Sequence, residues 1–375
     1  MFSEVPGTSV GVASWRGRRD DVVVLAASGV VAGVTTTSSA AAASCRWTRA
    51  RLPGPVRAIV INSGNANAAT GLQGERDNED MARIVAEELG CPVDEVLVCS
   101  TGVIGVPLDM ARIEPAVRAA AQLQGGDAAS AILTTDLRTK TAWGQGGGAV
   151  IGGMAKGSGM IHPNMATMLA FVATDAFIEE QALQALVEDI CARSFNAITV
   201  DGDCSTNDTF LVQATGVGVA LEPGEPGWLA FAAALEEVCV SLAKAIAADG
   251  EGAEHLVEVL VEGMDDVRAT AAARAVCRSS LVKAAVHGRD ANWGRVVGAL
   301  GAAGVPDLDR LDLDFAGIAV LRGGAPVPFD EDAATAALSA PEVQIRARLP
   351  GHGRGVAWGC DLSAEYVRIN ADYRS

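Results

Sequence analysis

A chain of 375 residues can bury a large core, and an arrangement in two lobes is expected. Of its residues 49% are hydrophobic but only 4% aromatic, so the core should be built from Ala, Val and Gly. The net charge of −17 and the pI near 4.7 argue against nucleic acid and anionic membrane surfaces as partners, because both select basic patches.

Short β-branched runs alternate with amphipathic ones, the pattern of an α/β protein. Val22–Val31 and Val56–Asn62 read as strands, and Glu75–Leu89 as a helix stopped by Gly90-Cys-Pro. Glu95–Cys99 reads as a strand and Asp109–Leu123 as a helix. Ala131–Trp143 and Ala149–Ala155 flank GQGGG and suggest a hairpin. Met168–Ala173, Ala197–Val200 and Thr209–Ala214 read as strands, Glu179–Arg193 and Trp228–Ala247 as helices. A strand at His255–Val261, a helix near Val267–Cys277 and a strand at Leu281–His287 follow. The domain boundary is placed near residue 250, giving an N-terminal domain 1–250 and a C-terminal domain 251–375.

No run approaches the ~18 apolar residues of a spanning helix, and MFSEVPGTSV lacks the order of a secretory signal. The eight cysteines are scattered without a CxxC pair, and the four histidines have no metal-ligand spacing. Reduced thiols, no metal and a cytoplasmic location are therefore expected.

Small polar clusters punctuate the strand ends, where α/β proteins place their sites. They are NSGNANAATG (62–71), STGVIG (100–105), TTD (134–136), KGSGMIHPNMATM (156–168), VDGDCSTND (200–208), DGEG (249–252) and YVRINADYRS (366–375). One such cluster is ordinarily a loop; seven in one chain are not expected of loops alone. NSGNANAATG is either a capped connection or an anion-binding nest. It matches neither GxGxxG nor the P-loop. In KGSGMIHPNMATM, Thr167 leads into the apolar run MLAFVA, where a β-branched Thr has an ordinary structural use. Spacing alone does not make it a nucleophile.

Longer motifs add to this. AKGSGMIHPNMATMLAF resembles the self-cleavage site of the ornithine acetyltransferase family, the bifunctional glutamate N-acetyltransferases of arginine biosynthesis. SFNAITVDGDCSTNDTF, VKAAVHGRDANWGR and CDLSAEYVRINADYRS match that family in order, so the resemblance runs from about Val24 to Ser375. It implies a layered α/β/β/α core like that of N-terminal-nucleophile hydrolases, with a smaller C-terminal α/β domain. It further implies cleavage between Ala166 and Thr167 into fragments 1–166 and 167–375, which stay together as an α2β2 heterotetramer. Thr167 would be the nucleophile, Thr101 and Gly102 the oxyanion hole, and Thr134, Lys156, Thr167, Glu251, Asn370 and Ser375 the substrate contacts. No bound cofactor is implied; acetyl-CoA is a co-substrate if the chain is of the bifunctional form. Departures from the family pattern lie at Thr35–Cys45, in the short GQGGG hairpin, at Glu254-His255 and at His162, and bear on substrate preference.

The chemistry suits these residues. A Thr hydroxyl needs a base, and no His is an obvious partner. Cleavage would free the Thr167 α-amine to serve as that base, since an α-amino group ordinarily titrates at about 7.7–8.0. The acetyl group would pass from N2-acetyl-L-ornithine to Thr167 and then to L-glutamate. Lys156 suits a substrate carboxylate and Glu251 an ammonium. Two other readings are a self-cleaving aminopeptidase or amidase, with water as acceptor, and a silent binding protein.

Overall fold

The computed structural model describes residues 2–17, 19–162 and 168–372. These form two compact units. One takes the described residues up to Asn196 together with Asp203–Leu242; the other takes Ala197–Gly202 and the described residues from Ala243 onward.

The first unit is built on an eight-stranded sheet. Its strands are β1 (Thr8–Ala13), β2 (Val22–Thr35), β3 (Gly54–Asn65), β4 (Val96–Val103), β5 (Lys140–Gly146), β6 (Ala149–Lys156), β7 (Leu169–Thr174) and β8 (Thr209–Ala214). They run in the order β4-β3-β2-β8-β7-β6-β5, with β1 also paired to β2. A bulge between Ala26 and Gly29 divides β2. Before it β2 pairs with β1, beyond it with β8, and β3 lies along the opposite edge from Val22 to Val31.

Alternation along the strands then separates two cores. Val22, Val24, Ala58, Val60, Val96 and Val98 face the helices Gly71–Leu89 and Met110–Gln122. Their neighbours Val23, Leu25, Ile59, Ile61, Leu97 and Cys99 point the other way, onto Met154, Leu169, Phe171 and Leu211 of β6–β8. The two ends of the sheet thus face each other. Gly153, adjacent to inward-facing Met154, lies against Val238 and Leu242 of the helix Pro226–Ala248. The unit is layered helix, sheet, sheet, helix, as the resemblance implies.

Small residues make this packing possible. A Cβ on Gly146 would meet the Ala230 carbonyl oxygen at 2.3 Å, and one on Gly147 the Gly227 oxygen at 2.3 Å. Helix backbone therefore lies directly on the hairpin, which accounts for an apolar composition carried by Gly and Ala.

The second unit has a six-stranded sheet. Its strands are β9 (Leu256–Met264), β10 (Asp312–Phe315), β11 (Ile318–Arg322), β12 (Ala325–Pro326), β13 (Glu342–Gly351) and β14 (Arg354–Cys360), in the order β12-β11-β10-β13-β9-β14. Val257, Val259, Val261, Ile345 and Ala357 pack on Ala269, Ala273 and Val276 of the helix Asp266–Arg278.

Three local expectations are corrected. Leu281–His287 is not a strand but most of the helix Ser280–His287. Its buried residues Val282, Lys283, Ala285 and Val286 fall on one helical face, and the Ser279 hydroxyl accepts from the Val282 N–H. Ala197–Val200 forms only an isolated bridge at Ile198–Trp358. The first arm of the hairpin begins at Lys140 rather than Ala131, because Ala128–Ala131 is a helical turn. Among the described residues, no helix is long and apolar enough to cross a membrane.

The helix cap gives a direct test. Ser279→Ala should lower stability by about 1 kcal/mol in urea denaturation, and Ser279→Asn should recover most of it.

Candidate active site

The parallel pairing of β3 with β4 sets the frame of the site. Ser63 is opposite Thr101 and Gly64 opposite Gly102, with an irregularity at Asn65. Gly102 adopts φ +133°, and a Cβ there would lie 2.3 Å from the Gly64 carbonyl carbon. Only glycine fits so close an approach. The neighbouring Asn62 Nδ2 donates to the Asn65 carbonyl, and the Ser100 hydroxyl donates to Asn62 Oδ1 at 2.6 Å.

Three of the expected residues converge here. Lys156, the last residue of β6, is almost wholly buried. Its Nζ donates to Thr134 Oγ1 at 2.7 Å and to Thr101 Oγ1 at 3.2 Å. Because the ammonium donates to Thr101 Oγ1, the Thr101 hydroxyl hydrogen is left for another acceptor. Gly102 is the next residue along β4.

Asp136, absent from the expected set, organises this corner. Its carboxylate is fully buried; Oδ1 accepts from Lys140 Nζ at 2.7 Å and from the Gly157 N–H at 2.6 Å. Oδ2 accepts from the Thr134 N–H at 3.1 Å and lies 3.9 Å from Lys156 Nζ. Burial pushes its pKa up, but the ammonium groups of Lys156 and Lys140 and the Gly157 amide outweigh it and bring it to about 2. One carboxylate thus holds the turn 134–136, the residue after β6 and two buried cations. The sequence signal was the TTD cluster itself, whose Asp is four residues before Lys140.

Asp208 was also missed. It immediately precedes β8, and its Oδ1 accepts from the Met168 N–H at 2.8 Å. Ala166 and Thr167, the expected cleavage pair, lie outside the described residues, as does Ser375.

Glu251 and Asn370 belong to the second unit. Asn370, in the helix Ala364–Asp372, donates from Nδ2 to Glu251 Oε2 at 2.8 Å. The Ser363 hydroxyl donates to the Gly252 carbonyl at 2.6 Å, and a Cβ on Gly252 would lie 2.6 Å from the Tyr366 nitrogen. The DGEG turn is therefore seated on the start of the tail helix, which makes Asn370 part of ordered structure. Among the described residues no group of His, Cys, Asp and Glu is arranged to hold a metal.

Comparison with known proteins gives consistent matches. The ArgJ family pattern matches residues 5–375. The arginine biosynthesis bifunctional protein ArgJ of Symbiobacterium thermophilum is 52% identical over 344 residues, covering 88% of this chain and 85% of its own length. The protein of the same name from Parasynechococcus marenigrum is 50% identical over 337 residues, covering 85% of this chain and 80% of its own. The crystal structure of the arginine biosynthesis bifunctional protein argJ from Bacillus halodurans is similar at 45% identity and a TM-score of 0.53. That match covers 54% of this chain and 98% of the solved one.

The Asp136 cluster predicts an acid response. Its folded pKa is depressed, so its stabilisation is complete above the ordinary carboxylate value of about 4 and is lost as pH falls through about 2. Asp136→Asn should cost roughly 3–5 kcal/mol at pH 7 in chemical denaturation, since two ammonium groups lose their buried partner. The gap between wild type and variant should narrow by about 2 kcal/mol between about pH 5 and pH 2.

Proposed function

We propose a function on the premise that the chain belongs to the ArgJ family: it is an acetyltransferase of arginine biosynthesis that moves the acetyl group from N2-acetyl-L-ornithine to L-glutamate. Self-cleavage at Ala166-Thr167 makes Thr167 the nucleophile and its freed α-amine the base. The observation that carries the reading is the buried Lys156 ammonium bonded to Thr101 and Thr134.

The roles follow from the chemistry of each group. Thr167 Oγ attacks the acetyl carbonyl carbon while the α-amine takes the hydroxyl proton. The Thr101 hydroxyl and the Gly102 N–H face the developing oxyanion; each such donor contributes roughly 3–4 kcal/mol to the transition state. Ornithine leaves with the proton from the amine, and glutamate attacks the acetyl ester. Lys156 and Thr134 take a substrate carboxylate. Glu251, with Asn370, takes an ammonium, and Ser375 completes the substrate contacts. The relatives are named bifunctional, and the second donor we propose is acetyl-CoA.

The sheet explains why the fragments would stay together. β6 precedes the cut and β7 follows it, yet they pair from Ile151–Thr174 to Lys156–Leu169. β8, also after the cut, pairs with β2. Fragments 1–166 and 167–375 therefore share one sheet, and we propose that two copies of each form an α2β2 assembly.

Purified protein should run as two fragments, the second beginning Thr-Met-Leu-Ala-Phe on N-terminal sequencing, while Thr167→Ala should remain one chain. Cutting that persists in Thr167→Ala would remove Thr167 as nucleophile.

Donor and acceptor share an amino-acid skeleton and would use Thr167 in turn, so double-reciprocal plots at several fixed glutamate concentrations should be parallel. Mass spectrometry after mixing with N2-acetyl-L-ornithine alone should show one acetyl group on fragment 167–375, discharged by glutamate. Loss of that acetyl to water as fast as to glutamate would place the enzyme with the aminopeptidases and amidases. Running the same assay with acetyl-CoA as donor decides the bifunctional form.

A further inference from the structure

The segment VKAAVHGRDANWGR (282–295) has no part in the reaction proposed above. It begins inside the helix Ser280–His287, whose last residue reaches a buried acid. His287, with 34% of its side chain exposed, donates from Nδ1 to Asp361 Oδ2 at 2.8 Å. A carboxylate only accepts, so Nδ1 is the nitrogen that carries the hydrogen. The Asp361 side chain is completely buried.

The second sheet explains where Asp361 stands. β14 ends at Cys360, which pairs with Leu256, the first residue of β9. Asp361 is therefore beside the turn that leads into β9, and Glu251 is on that turn. Asp361 Oδ1 accepts from the Glu254 N–H at 2.8 Å and from the His255 N–H at 2.9 Å. The Asp361 N–H donates in return to the His255 carbonyl at 3.2 Å. Its neighbours are held as well. The Leu362 N–H donates to the Lys283 carbonyl at 3.3 Å, and the buried Lys283 ammonium donates to the Val200 carbonyl and to Cys360 Sγ. One oxygen of Asp361 thus grips the helix 280–287, and the other grips the turn.

The turn itself is short and tightly seated. The Ala253 N–H closes it onto the Gly250 carbonyl at 2.9 Å, and a Cβ on Gly250 would lie 2.8 Å from Cys360 Sγ. Glu251 is half-buried between these anchors. The contacts at 254 and 255 run through backbone amides, so the departure from the family pattern at Glu254-His255 leaves the clamp intact.

We propose that Asp361, held by His287, is a positioning residue for Glu251. It fixes the turn so that the Glu251 carboxylate meets a substrate ammonium already in place. A carboxylate on a free loop would have to be ordered at each binding event, at the expense of affinity. Asp361 touches no substrate and acts only through Glu251. The proposal rests on the reading that Glu251 takes an ammonium.

Asp361→Ala should raise KM for N2-acetyl-L-ornithine roughly tenfold with kcat nearly unchanged, as when a hydrogen bond to a charged group is weakened. Asp361→Asn should stay close to wild type. Its amide oxygen still accepts the two N–H groups, and its NH2 can donate to the other tautomer of His287. A double-mutant cycle separates positioning from general loosening of the unit. In a Glu251→Gln background, Asp361→Ala should have no further effect on KM. The same rise with and without the Glu251 carboxylate would overturn the proposal, as would a wild-type KM in Asp361→Ala. A wild-type KM in Glu251→Gln would instead remove Glu251 as an ammonium contact, which keeps the two failures distinct. If Asp361→Ala does not fold, His287→Ala takes its place in the cycle, with a several-fold rise in KM expected. An unchanged KM there would overturn the proposal.

Discussion

A single buried carboxylate between two buried ammonium groups holds the candidate active corner together. Asp136 carries bonds from Lys140, the Gly157 amide and the Thr134 amide, with Lys156 close by. Breaking such a group by removing one member leaves charge in a medium that solvates it poorly. The geometry of Lys156 therefore depends on Asp136, although Asp136 has no expected contact with substrate. Thr134 is fixed twice, through its amide by Asp136 and through its hydroxyl by Lys156.

This arrangement would let a protein with a net charge of −17 offer the carboxylate site proposed above. The overall field repels an anion at long range, but salt screens it over about 8–10 Å. What an arriving carboxylate meets at contact is set locally. Lys156 is desolvated, its hydrogen bonds to Thr101 and Thr134 go to neutral hydroxyls, and the one negative charge of Asp136 is set against two ammonium groups, so the corner keeps a positive charge whose attraction is weakly screened.

Much of this was legible in the sequence, for identifiable reasons. The strands at Val22, Val56 and Thr209 and the helix ended by Gly90 announce themselves through β-branched runs and a left-handed cap, here at φ +63°. Lys156, Thr134 and Thr101 came from motif resemblance, and the structure brings their side chains into contact. Leu281–His287 reads as a strand because its valines favour one locally, whereas the Ser279 cap and a one-sided burial pattern decide for helix. Asp136 and Asp208 lie inside the TTD and VDGDCSTND motifs. Their roles depend on contacts across 20 and 40 residues, with Lys156 and Met168, which no local pattern encodes.

The sharing of one sheet by strands on either side of residue 166 has a consequence for the life history of the molecule. While the chain is whole, closing β7 and β8 onto β6 and β2 is an intramolecular search whose cost is loop entropy. With the proposed cut, the same sheet would be an association of two polypeptides, and its recovery after unfolding would be second order in concentration. Folding would then have to precede cutting, and each molecule would be assembled under conditions that no longer exist afterwards. A cut molecule would be kept by its barrier to opening as much as by its equilibrium stability.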